Sequence, residues 1–127
     1  MRIPSNELPV KIDAPGAHAR HLPDFGTASG TLAAEYFTLG ACADLASLLQ
    51  GLERDACQSA HWGFVVTGAV VVSYSDGSVE RCSTGDVFYW PPGHSVRVEA
   101  DAELVMFSPQ SDHAPVLDHI LAKMAGA

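Results

Sequence analysis

Residues 61–94 read HWGFVVTGAVVVSYSDGSVERCSTGDVFYWPPGH. An apolar run rich in Val predicts a strand over 61–74, and Asp76-Gly77 supplies the positive φ angles of a tight type I′ hairpin turn. A second strand is expected from Ser78 to Cys82, a turn at Thr84-Gly85-Asp86, and a short strand from Val87 to Trp90. Pro91-Pro92-Gly93 then makes a corner, because two prolines cannot donate to a ladder. Two hairpins so placed set His61 near one end of the segment and His94 near the other.

Outward from this segment the same rhythm continues. TLAAEYFTLG ahead of it is a strand candidate closed by Gly40, and ADLASLLQGL places Leu45, Leu48, Leu49 and Leu52 at helical spacing, with Asp44 to cap the turn and Gly51 to end it. Behind it, a strand from His94 to Glu99, a turn at Ala100-Asp101-Ala102 and a strand from Glu103 to Ser108 are expected, with Pro109 as the stop. Strands recurring every 8 to 12 residues with turn signals between them predict an all-β antiparallel barrel or jelly roll. PVLDHILAKMAG predicts a short carboxyl-terminal helix over about 115–125, with Pro115 in its first turn. The amino-terminal arm, residues 1–29, is rich in Pro and Gly and reads as an irregular segment that wraps the surface or pairs with a neighbouring subunit.

The 127 residues fit one domain with its core over about 30–108. Lys plus Arg total 7 against 15 Asp plus Glu, a formal charge of -8, which opposes binding to nucleic acid and to anionic membrane surfaces. No apolar run approaches the roughly 20 residues of a membrane span. Cys42, Cys57 and Cys82 cannot all pair within one chain, and residues 1–26 lack the apolar core of a signal peptide; both point to a reducing, cytoplasmic setting with free thiols. Strand edges that need covering, with the arm and helix as covers, predict a homodimer.

The spacing of Gly85, five residues, Pro91, Pro92 and Gly93 resembles the second motif of the cupin superfamily, small antiparallel β-barrels, although Val96 stands at the histidine position of that motif and His94 comes two residues early. When the closing glycine of the first motif is placed on Gly68, His61 falls at its glutamate, Cys57 at its second histidine, Asp55 at its first and Leu49 at its opening glycine. The superfamily includes dioxygenases, isomerases, storage proteins and sugar-binding regulators, so the resemblance implies a fold and an interior site and names no single activity.

A thiolate from Cys57 and imidazoles from His61 and His94 make a donor set suited to zinc, with one position left for water or a small-molecule ligand; the superfamily's usual ligands suit iron, manganese or nickel. Against this stands a reading with no metal, in which Cys57 is an ordinary buried thiol and His61 an internally bonded core residue. A non-catalytic binding or sensing module, or a homodimeric scaffold with a vestigial site, is the alternative function. His18 and His21 in the arm are set aside, and Asp55 is a weaker fourth ligand than water. Glu35 is expected at the surface, with an interior general base as the second reading; Cys42 and Cys82 are expected as apolar fillers, and the aromatics Trp62, Phe64, Phe88, Tyr89 and Trp90 as core or outer packing.

Overall fold

The computed structural model describes residues 1–27 and 30–126. Among the described residues, eight strands and one α-helix follow in order: β1 (Arg2–Pro4), β2 (Val10–Ala14), β3 (Ala17–Arg20), β4 (Leu32–Leu39), β5 (His61–Tyr74), β6 (Val79–Ser83), β7 (Asp86–Trp90), β8 (His94–Pro109) and α1 (Gln110–Met124). Six strands form one antiparallel network in the order β1-β7-β5-β8-β4, with β6 pairing β5, while β2 and β3 form a separate hairpin. The pairing path is open, with β1 and β4 at its ends.

Two long strands carry this architecture. The first half of β5 lies between β7 and β8, its second half between β6 and β8. Register shifts between Val65 and Val70 let it change direction midway. Gly68 makes the bend: it sits at φ 96°, and a Cβ there would lie 2.1 Å from the Asp101 carbonyl oxygen. Only glycine accepts both conditions. Inward residues alternate along each strand and meet in one core of Val65, Val70, Val72, Cys82, Phe88, Trp90, Val96, Val98, Ala102, Leu104 and Met106.

Four expectations need correction. Ala100-Asp101-Ala102 is no turn: β8 runs unbroken from His94 to Pro109, because the bulges lie on β5 and absorb the bend. The Asp76-Gly77 turn has positive φ at Gly77 alone. The Asp76 carboxylate accepts from the Ser78 backbone N–H at 2.8 Å, and the Gly77 N–H donates to the Tyr74 carbonyl at 2.9 Å. That is a type I turn followed by a left-handed glycine. Helix α1 begins at Gln110, which places Pro115 in its second turn, and the arm is ordered into β1, a 3-10 turn at Ser5–Glu7 and the β2–β3 hairpin. The turn over Leu45–Leu48 forms as expected, with the Asp44 carboxylate accepting from the Ala46 N–H at 2.9 Å.

Candidate metal and ligand site

Backbone pairing brings the first two donors together. The segment after the 3-10 turn at Glu53–Asp55 meets the start of β8: Cys57 N–H donates to the His94 carbonyl at 2.8 Å, and Gly93 N–H to the Cys57 carbonyl at 2.7 Å. Gly93 takes φ 89° at this corner, which closes the Pro-Pro-Gly corner against Cys57. His61, the first residue of β5, pairs with Trp90 and points inward. Cys57, His61 and His94 are all buried, and one donor atom from each lies within 4.8 Å of the others. Cys57 Sγ is 3.4 Å from His61 Nε2.

Hydrogen bonds fix the tautomers. The Pro91 carbonyl can only accept, so His94 Nδ1 donates to it at 2.7 Å and Nε2 carries the lone pair. The Ser108 hydroxyl donates to Glu35 Oε1 at 2.5 Å, so its oxygen accepts from His61 Nδ1 at 2.6 Å, again leaving Nε2 as the acceptor beside the thiol. Both histidines thus have the outer-nitrogen anchoring that characterises metal-binding imidazoles. Burial, with His113 nearby, lowers the His94 pKa to about 4; burial and the neighbouring His94 and His113 hold His61 well below the ordinary value. Both rings are therefore neutral at pH 7, the form a cation requires. Burial pushes the Cys57 thiol up to about 11, so a divalent cation is what would make it a thiolate.

Three further residues complete the site: Glu35, whose interior placement the sequence reading ranked second, and Ser108 and His113, which it missed. Glu35 is not a surface carboxylate. It stands on the inward row of β4 with Ala33, Phe37 and Leu39, its side chain 9% exposed, and its Oε2 accepts from His113 Nδ1 at 2.5 Å. His113 comes from α1 and lies against His61, ring centroids 4.4 Å apart. Glu35, His61 and His113 also offer donor atoms within 4.8 Å. A carboxylate and an imidazole joined by a direct hydrogen bond leave no room for an ion between them, so this second group orients the first. The period-two pattern of β4 was the available signal for Glu35; nothing local marks Ser108 or His113.

A cavity of about 70 Å³ opens onto these residues. Phe37, Leu104 and Met106 wall it from the sheet, Leu45 and Leu49 from the 3-10 turn, and Val116, Leu117 and Ile120 from α1, leaving Cys57, His61, His94 and His113 as its polar points. Asp55 lies outside this group, exposed, its carboxylate accepting from the Gly51 N–H at 2.9 Å. His18 and His21 are on the arm, distant in sequence and exposed. Phe88 and Trp90 stack in the core, whereas Trp62, Phe64 and Tyr89 take the outward positions of their strands. Cys82 is buried as expected; Cys42 is exposed, contrary to its reading as a filler.

The antiparallel strand order, the long bent strands and the left-handed glycines at positions 68, 85 and 93, which are the motif glycines, agree with the cupin-type β-fold that the motif spacing resembles. No family model matches the chain, and no curated protein matches it. Among solved structures, a salicylate 1,2-dioxygenase from Pseudoaminobacter salicylatoxidans, solved as a variant with gentisate, is 21% identical with a TM-score of 0.48, over 68% of this chain and 22% of that one. Oxalate decarboxylase of Bacillus subtilis is similar at 19% identity and TM-score 0.46, over 86% of this chain and 29% of its own. Protein NMB1881 from Neisseria meningitidis is similar at 20% identity and TM-score 0.47, over 75% and 90%. The chain thus spans under a third of the length of the two named enzymes it resembles.

Proposed function

We propose that the chain binds one divalent metal ion through Cys57 Sγ and the Nε2 atoms of His61 and His94, with a small organic ligand beside it in the cavity. The observation that carries this reading is the convergence of three buried donor atoms within 4.8 Å, two of them imidazole nitrogens left free by an anchored partner nitrogen. A sulfur and two nitrogens favour zinc over iron, manganese or nickel, and leave one coordination position open. When bound, such an ion supplies Lewis acidity or an activated water.

Size limits the ligand. A dry cavity of about 150 Å³ accepts benzene, so a space of about 70 Å³ suits a mostly apolar compound of a few heavy atoms. The three free thiols fit a reducing, cytoplasmic compartment, and the uncovered surfaces of the chain support a homodimer. Elemental analysis of protein purified without chelator tests the centre: near-stoichiometric metal is expected, lost in both Cys57→Ala and His61→Ala. Failure of the wild-type protein to hold or take up zinc or cobalt would overturn it.

A further inference from the structure

Two surfaces of this chain are apolar, regular and uncovered. The first is the outward face of β4, β8 and β5. Register places Tyr36, Val105 and Phe64 in one cross-strand row and Ala34, Phe107 and Trp62 in the next. Tyr36 is 58% exposed and Phe107 45%. Glu103, opposite Thr38, borders these two rows, and the further charged positions Asp101, Glu99 and Arg97 follow along β8 beyond it. Scattered apolar residues at a surface are ordinary, whereas a contiguous patch across three strands marks an interaction site.

The second surface is the β2–β3 hairpin. Pairing puts Ile12 beside Ala19 and Ala14 beside Ala17, and Asp13 beside His18 on the opposite face. The hairpin is therefore amphipathic, yet its apolar side is turned to solvent, with Ile12 49% exposed. An isolated two-stranded hairpin is marginal in water and needs something to pack on. The chain that leaves it passes beside the sheet patch: Trp62 Nε1 donates to the Phe25 carbonyl, and Gly26 lies against Tyr89.

We propose that the β2–β3 hairpin of one copy docks its apolar side on the outward face of β4, β8 and β5 of a second copy, reciprocally. This rests on the homodimer reading above and names its surfaces. Charge favours the pairing: residues 10–20 carry Lys11 and Arg20 against Asp13, a basic segment on a chain of net charge -8. Area permits it as well. Three strands at ~4.8 Å spacing, with outward residues every ~6.8 Å, give a face of roughly 300 Å². Two hairpin contacts counted on both sides remove on the order of 1,000 Å² from water, close to the ~1,200 Å² at which stable dimers begin.

The test is the mass of the full chain in solution at tens of micromolar. The wild-type protein is expected as a dimer, and Ile12→Asp and Phe107→Asp should each weaken it at least tenfold; both positions are exposed in the protomer, so near-UV circular dichroism should stay unchanged. Mixing the two variants should restore dimers, since one hairpin-on-face contact in the mixed pair is wholly wild type. A wild-type monomer would overturn the homodimer reading itself. A wild-type dimer that both variants leave intact, or that only Phe107→Asp disrupts, would leave the homodimer standing and overturn the hairpin as its occupant.

Discussion

Glu35 on β4 and His113 on α1, 78 residues apart in the chain, are joined by a 2.5 Å hydrogen bond beneath the helix. The other oxygen of the same carboxylate accepts from Ser108, which in turn accepts from His61. One carboxylate therefore orients two imidazoles. Glu35→Ala leaves His113 and Ser108 as buried donors without an acceptor, which should cost about 3 kcal/mol in urea unfolding. It should also weaken metal binding by 10- to 100-fold, the usual loss when an outer partner of a ligating histidine is removed. A variant that keeps wild-type stability and wild-type metal affinity would show that the network orients nothing.

Acid should destabilise the metal-free protein. The His94 pKa is lowered to about 4 in the fold against an ordinary value of about 6.5, so between those pH values the unfolded chain binds the proton and the native chain does not. Stability is then full above pH ~6.5 and falls as pH drops toward 4, by about 3 kcal/mol from this residue on the linkage relation. His61 is lowered too and adds a loss of the same sign. Urea unfolding at pH 7.5, 6 and 5 measures it; stability that is flat over that range would contradict the burial of both rings.

The three thiols should separate by reactivity. Cys42 is exposed, while Cys57 and Cys82 are buried with pKa values raised to about 11. A disulfide reagent at pH 8 should modify Cys42 at once and the other two only on unfolding. Zinc should slow Cys57 further and leave Cys82 unaffected, so equal protection of both by zinc would argue for general stabilisation instead of ligation.

Turn glycines should rank in a fixed order. Gly68→Ala forces a Cβ against the Asp101 carbonyl and should cost several kcal/mol, whereas Gly77→Ala meets nothing within 4 Å and pays for its left-handed φ alone, about 1 kcal/mol. Gly93 falls between them, since its Cβ would meet the movable Ser75 hydroxyl. Thermal melts of the three variants check the order.

These contrasts also explain what the amino-acid sequence made legible. Alternating apolar residues and turn chemistry placed β4, β5, β6 and β7 to within a residue or two, and motif spacing brought Cys57, His61 and His94 together. The continuity of β8 was hidden because the residues that absorb the bend, Thr67 to Ala69, belong to β5. Asp76 keeps a negative φ because its carboxylate bonds Ser78, a local competition that the Asp-Gly pair alone does not reveal. Glu35 was within reach, since Phe37 and Leu39 share its row. The contribution of His113 depends on where α1 docks, a tertiary outcome with no local pattern.

Helix α1 both roofs the cavity, through Val116, Leu117 and Ile120, and delivers His113 to Glu35. Sealing and assembly are consequently one event. A substitution that loosens α1 on the sheet would therefore act on the apolar roof and on the Glu35–His113 contact together.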